Sequence, residues 1–153
     1  MFTPKDPDFE VRVKASFAAQ SAMKFLQIQL LSLQPGEVTM QLEKSGHLLQ
    51  QQGFMHGGVL TAGLDSACGF AALTLSAQFV EVLSIEFKTS FFRPVTTDKV
   101  KVIGRVIKPG KRVSFCEAEA FSLEGGNEIL LAKMSSSVAM VDMPEGWMPE
   151  NRS

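Results

Sequence analysis

The sequence predicts an α+β domain in which a curved antiparallel sheet wraps around one long apolar helix. Two patterns carry that prediction. Residues 57–78 are apolar nearly all round, with Val59, Leu60, Leu64, Ala67, Phe70, Ala71, Leu73 and Leu75 leaving no clean polar face. A helix of that kind belongs in a core or a bilayer. Beyond residue 81 the pattern changes to alternation with period two between short turns, which describes an antiparallel sheet with one buried face. A sheet that must cover an apolar helix curls around it and takes the helix as its filling.

The elements follow in order. Phe9, Val13, Phe17 and Ala18 recur at helical spacing and predict an amphipathic N-terminal helix within residues 1–22, from about residue 7. Residues 26–33 form an apolar-rich run that ends at the turn dipeptide Pro35-Gly36. Val38, Met40 and Leu42 then alternate with Thr39, Gln41 and Glu43, so a strand, a tight turn and a second strand are expected. A glutamine-rich loop runs to Gln52, and the apolar helix follows. Next, Leu83, Ile85, Phe87, Thr89 and Phe91 alternate with Ser84, Glu86, Lys88 and Ser90. Val100, Val102, Gly104 and Val106 lie opposite Lys99, Lys101 and Arg105, and Pro109-Gly110 and Gly125-Gly126-Asn127 mark hairpins around two further strands. After Met143 the periodicity ends, and residues 143–153 read as a tail on a single domain spanning 1–153.

Composition narrows the function classes. The 153 residues are 45% hydrophobic and 20% charged, a globular balance, with a formal net charge of -1. That neutrality removes the bulk-electrostatic case for nucleic acid or an anionic membrane surface, while leaving room for a local basic pocket. Residues 1–6 lack a basic-then-apolar signal pattern, so a cytoplasmic location is expected. Two cysteines, Cys68 and Cys116, lie among apolar neighbours and read as buried free thiols. His47, His56 and Asp65 match no compact metal-ligand spacing, so no metal is expected. The apolar helix is long enough to weigh as a membrane span. Asp65 near its middle, its many small polar residues and the sheet pattern downstream oppose that reading.

Between Lys44 and Glu81 the single formally charged side chain is Asp65, on the most apolar helix of the chain. A buried carboxylate is costly unless hydrogen-bonded, paired or open to a cleft. Bonding to neighbouring hydroxyls such as Thr61 or Ser66 would make it structural. Desolvation that raises its pKa would make it a general base or nucleophile. His56-Gly57-Gly58 stands where the helix begins. Its glycines admit a substrate close to the backbone, and the N–H groups and positive helix end favour developing negative charge. Such a point suits an oxyanion, although a helix-initiating turn also explains the glycines, and His56 alone reads equally as a structural residue. Gly57 and Asp65 are separated by about 12 Å along one helix, so one reacting carbonyl cannot touch both within a chain. A two-fold dimer with antiparallel helices brings each Asp65 toward the other chain's Gly57. Arg93, Lys108, Lys111 and Arg112 lie at strand ends or in the Pro109-Gly110 hairpin, placed either to meet phosphates or to sit solvated in a basic turn.

Gly53-Phe54-Met55-His56-Gly57-Gly58, followed by Leu64-Asp65-Ser66-Ala67-Cys68-Gly69, resembles the signature of the phenylacetic-acid-degradation (PaaI-like) hotdog thioesterases. Ser84-Ile85-Glu86-Phe87 and Phe92-Arg93-Pro94-Val95 resemble the strand that follows the helix in that family, and the likeness extends over nearly the whole chain. The resemblance implies a hotdog fold and hydrolysis of an acyl-CoA substrate to free acid and CoA, without metal or cofactor. It implies that Asp65 activates water or attacks directly, that the Gly57 N–H polarises the thioester carbonyl, and that His56 positions that end of the substrate. It places the Ser84 hydroxyl near the nucleophilic water and Gly58 beside the substrate. Relatives carry asparagine where this chain has Gln50, whose amide reaches one methylene further. Dimers paired into tetramers are implied as well. A different class remains open, a non-catalytic acyl-CoA or acyl-lipid binding protein. A Cys68 nucleophile one turn from Asp65 lacks the electropositive, accessible setting that a thiolate needs.

Overall fold

A computed structural model describes residues 1–150; the last three residues of the predicted tail lie outside the described residues. Helix α1 (Phe9–Ala19) and the short α2 (Ser21–Phe25) lead into β1 (Ile28–Gln34) and β2 (Glu37–Glu43). Helix α3 (Gly57–Leu73) follows a loop, and β3 (Val80–Phe91), β4 (Lys99–Lys108), β5 (Val113–Glu124) and β6 (Asn127–Asp142) complete the chain. All pairings are antiparallel, in the order β1-β2-β4-β5-β6-β3, so β1 and β3 form the two edges. The α+β expectation of one sheet around one long helix holds.

The concave face of the sheet grips α3 through period-two side chains. Val38, Met40 and Leu42 from β2 are buried with Val100, Val102 and Val106 from β4, against Leu60, Leu64, Ala67 and Leu73 of the helix. Small residues set the depth of that contact. A Cβ on Gly104 would lie 2.3 Å from the Ala67 carbonyl oxygen, so β4 meets the helix backbone directly there. Gly63 is similar, with Leu42 methyl carbons 2.8 Å from where its Cβ would be. Among the described residues no helix is long and apolar enough to cross a membrane.

Three expectations need correction. The N-terminal helix is two helices, because Gln20 takes extended backbone (φ -81°, ψ 101°) and redirects the chain. That break lets α1 bury Phe9, Val13 and Ser16 while α2 buries Met23. Phe17 meets Phe70 of α3 with ring centroids 5.5 Å apart. The central helix ends at Leu73 rather than Gln78. Thr74 Oγ1 donates to the Ala71 carbonyl at 2.7 Å, Ser76 Oγ donates to that of Leu73 at 3.0 Å, and the Arg12 guanidinium donates to the Leu73 and Ser76 carbonyls. These donors satisfy carbonyls that a helix end otherwise leaves open. Arg12 is itself held by buried Asp6 at 2.9 Å.

The third correction concerns β3, which does not keep one alternation. Ser84 pairs with Val138 and Glu86 with Ser137, so one extra residue forms a bulge. Before it, even-numbered Val82 and Ser84 face α3; after it, odd-numbered Phe91 does, 3.4 Å from the Cβ position of Gly57. Leu83 and Ile85 consequently point away from the core, at 64% and 56% exposure.

Cys68 and Cys116 are buried in the core. Burial pushes the Cys116 thiol up to about 12 and the Cys68 thiol up as well, with the Asp65 charge adding to the Cys68 effect. Neither presents a thiolate at neutral pH, which removes the Cys68 nucleophile. A chromogenic disulfide reagent at pH 8 is therefore expected to label neither cysteine in the native protein and both in denaturant; rapid native labelling would contradict this packing. Gly104→Ala is expected to lower the unfolding free energy by about 3 kcal/mol, read from the urea midpoint, because backbone cannot yield as a side chain does.

Candidate active site

The loop before α3 is tied down by its own backbone. Gln50 N–H donates to the Phe54 carbonyl at 2.9 Å, Gly53 N–H donates to that of Gln50 at 3.0 Å, and Leu49 bridges Met55. Gly53 turns the chain with φ +83°, a conformation suited to glycine. His56 N–H then donates to the Leu48 carbonyl at 2.8 Å and fixes the direction in which the helix starts.

His56 is the N-cap of α3. Its Nδ1 accepts from the Gly58 N–H at 2.9 Å, and its carbonyl accepts from Val59 and Leu60. An accepting Nδ1 places the ring proton on Nε2, which is left as a donor on this exposed side chain. The Gly58 N–H is occupied by this cap, and a Cβ there would lie 3.0 Å from Nδ1, so Gly58 keeps the imidazole seated. Among the described residues the Gly57 N–H has no protein partner. It opens on a cleft of about 340 Å³ lined by Gln50, Met55, Gly57, Phe91, Phe92 and Arg93. The Gln50 amide is folded over its own turn, donating to Gln52 Oε1 at 3.1 Å and accepting from the Gln52 N–H.

Two turns into α3, Asp65 is half-buried and accepts a hydrogen bond from Ser84 Oγ at 2.5 Å. The β3 bulge lies directly after Ser84, so the strand delivers this hydroxyl to the helix just before its alternation reverses. The neutral partner orients the carboxylate, and among the described residues no cation pairs with it. Asp65 and Ser84 face a separate cleft of about 270 Å³ that also touches Ser16, Gln20 and Glu81.

The chain thus brings together Asp65 with Ser84 in one cleft and Gly57 with Gln50 and Arg93 in another, while His56 caps the helix beside Gly57 and does not line that second cleft. Lys108, Lys111 and Arg112 join neither. They are exposed in the β4–β5 hairpin, whose Pro109 and Gly110 lie near Leu75, at the far end of α3 from Gly57. Glu81 escaped the sequence reading, where it served as the boundary of the uncharged stretch. Burial pushes its carboxyl up, opposed by the Arg12 charge and a hydrogen bond from Ser16. Its signal was present in the sequence as the acidic residue opening the strand after the apolar helix.

This arrangement offers a carboxylate steadied by a hydroxyl at one cleft and a free N–H at a positive helix end in the other. The first can draw a proton from water, and the second can receive charge developing on a carbonyl oxygen. The thioesterase superfamily matches residues 52–129, a stretch that contains Gly57, Asp65 and Ser84. A thioesterase family protein from Silicibacter pomeroyi is 33% identical and superposes with a TM-score of 0.85, over 88% of this chain and 98% of that one. A point mutant of the phenylacetic acid degradation protein PaaI from Thermus thermophilus is 25% identical with a TM-score of 0.70, over 80% and 100% of the two chains. The PaaI protein of E. coli, at 16% identity, shares the fold with a TM-score of 0.81 over 91% of this chain and 97% of its own. With its motif, its helix-in-sheet architecture and this match over half its length, the chain belongs to the thioesterase superfamily and has the hotdog fold.

Proposed function

We propose that the protein is an acyl-CoA thioesterase whose active site is shared between two subunits. Water held beside Asp65 loses a proton to the carboxylate and attacks the thioester carbonyl carbon. The oxyanion is received by the Gly57 N–H of the partner subunit and the positive end of its helix. The carbon–sulfur bond then breaks, and CoA leaves as a thiolate that takes up the proton. Ser84 holds the carboxylate in place through the 2.5 Å hydrogen bond.

The observation that carries this reading is the separation of the two reactive groups. Gly57 and Asp65 occupy one helix about 12 Å apart, and within the chain they face different clefts. A two-fold axis beside β3 reunites them. β3 is an edge strand, and Leu83, Ile85 and Phe87 are exposed along it. An apolar edge of that length is a template for a second copy. Antiparallel helices across the axis would also carry the hairpin with Lys108, Lys111 and Arg112 toward the partner cleft holding Arg93, gathering cations where CoA phosphates need them.

One observation favours a second reading. The Gln50 amide is turned onto Gln52 instead of toward Gly57, so a polar group expected near the carbonyl is engaged elsewhere. A non-catalytic acyl-CoA or acyl-lipid binder would tolerate that arrangement.

Thiol release from a panel of short, long and aromatic acyl-CoAs separates the two. Turnover is expected, and Asp65→Asn is expected to lower kcat about a thousandfold without changing assembly. Binding without release by the unmutated protein would establish the second reading. Gly57→Pro removes the donor N–H at a position where helices accept proline, after a residue already extended at ψ 134°. It is expected to cost about a hundredfold in kcat. Mixing and re-equilibrating the two inactive variants should restore up to about a quarter of normal activity, because each mixed dimer keeps one intact site. Failure to restore activity in verified mixed dimers would place both groups in one chain.

A further inference from the structure

Resting on the thioesterase reading, we infer that Ser136 is a positioning residue for hydrolysis: it holds the bulge in β3 that presents Ser84 to Asp65. One extra residue in a strand reverses which side chains face the core from that point on. The shift in β3 falls between Ser84 and Glu86. Had it fallen before Ser84, that hydroxyl would turn to the outer face and its 2.5 Å hydrogen bond to Asp65 would be lost. The geometry of the base therefore depends on what fixes the bulge in place.

Glu86, the first paired residue past the bulge, is held by β6 from both faces of the sheet. On the core face Ser136 is 4% exposed, and its Oγ donates to the Glu86 backbone carbonyl at 3.2 Å. Its neighbour Ser137 projects to the opposite face, as alternation requires, and donates to Glu86 Oε1 at 2.6 Å. The second bond restrains an exposed side chain, whereas the first holds the backbone itself, where little water competes for it. Ser136 stands two residues before Val138, the partner of Ser84, so Ser136 and Ser84 share the face turned to α3. Met134 and Val138, its neighbours on that face of β6, are fully buried and apolar. A hydroxyl between them is costly unless it is bonded, and the acceptor it has is the carbonyl at the bulge. With that donor removed, the bulge gains freedom to shift and Ser84 spends less time on Asp65.

The test is a double-mutant cycle on thiol release from the acyl-CoA panel, with assembly and urea midpoint checked for each variant. Ser84→Ala is expected to lower kcat about tenfold, the value of one hydrogen bond to a charged acceptor. Ser136→Ala is expected to lower kcat about fivefold, with KM within about twofold, the mark of lost alignment at the reacting centre and not of lost binding. In the Ser84→Ala background, Ser136→Ala should cost nothing further, because the hydroxyl it presents is already gone. Ser136→Thr and Ser136→Val share one shape and differ in the hydroxyl, so packing strain cancels between them. The threonine variant is expected to turn over about threefold faster than the valine variant, and this pair serves if the alanine variant does not assemble. Unchanged kcat in Ser136→Ala, multiplied effects in the double variant, or equal kcat for threonine and valine overturns this inference while hydrolysis itself stands. No thiol release from any ester by the unmutated protein overturns both.

Discussion

The structure depends on the need to cover α3. Leu60, Leu64, Ala67, Cys68, Phe70, Ala71 and Leu73 are buried around this helix, on more than one face. Each large aliphatic side chain among them contributes about 2 kcal/mol by leaving water, and no flat sheet could cover them all. The six strands therefore curl, and Gly104 against the Ala67 backbone sets how closely they do so. What the sheet cannot reach is the gap between α1 and the β3 edge. Asp65 emerges there, so the placement of the carboxylate follows from how the helix is covered.

The bulge in β3 completes that placement. With unbroken alternation, Ser84 and Phe91 could not both face α3, since they are an odd number of residues apart. The extra residue permits both, and the strand supplies a hydroxyl to Asp65 and a ring beside Gly57. The same irregularity turns Leu83 and Ile85 outward on a strand with a free edge. One insertion thus organises the acid and exposes the surface through which a second subunit would arrive.

Periodicity made the architecture legible. The all-round apolar helix and the alternating strands state what must be buried, and the fold follows from those obligations. Asp65 and the glycine pair at the helix start were legible for a related reason: each breaks the local rule of its segment. Features decided by contacts between distant segments were not. The helix stops at Leu73 because Arg12, sixty-one residues earlier, and two hydroxyls meet its carbonyls. The break at Gln20 serves the burial of both Val13 and Met23. The bulge leaves no composition mark, because Ile85 is as ordinary in a buried strand as in an exposed one. Glu81 acquires its setting from Ser16 and Arg12 on another element, so alternation along its own strand reads it as one more polar position.

The proposed division of the site along one helix has its own physical sense. A carboxylate in the first turn of α3 would lie against the unpaired N–H groups, quench the positive helix end and turn toward the backbone instead of a substrate. Two turns further on, Asp65 is clear of that end and is oriented by Ser84, a neutral partner. The Gly57 N–H meanwhile stays unpartnered because His56 caps Gly58 and not Gly57. Each group keeps its reactivity because the other is distant within the chain. A two-fold axis can then join them across a thioester without allowing them to neutralise each other first. In the proposed dimer, a lone subunit holds a base without an oxyanion donor and a donor without a base, so hydrolysis begins only where two chains meet.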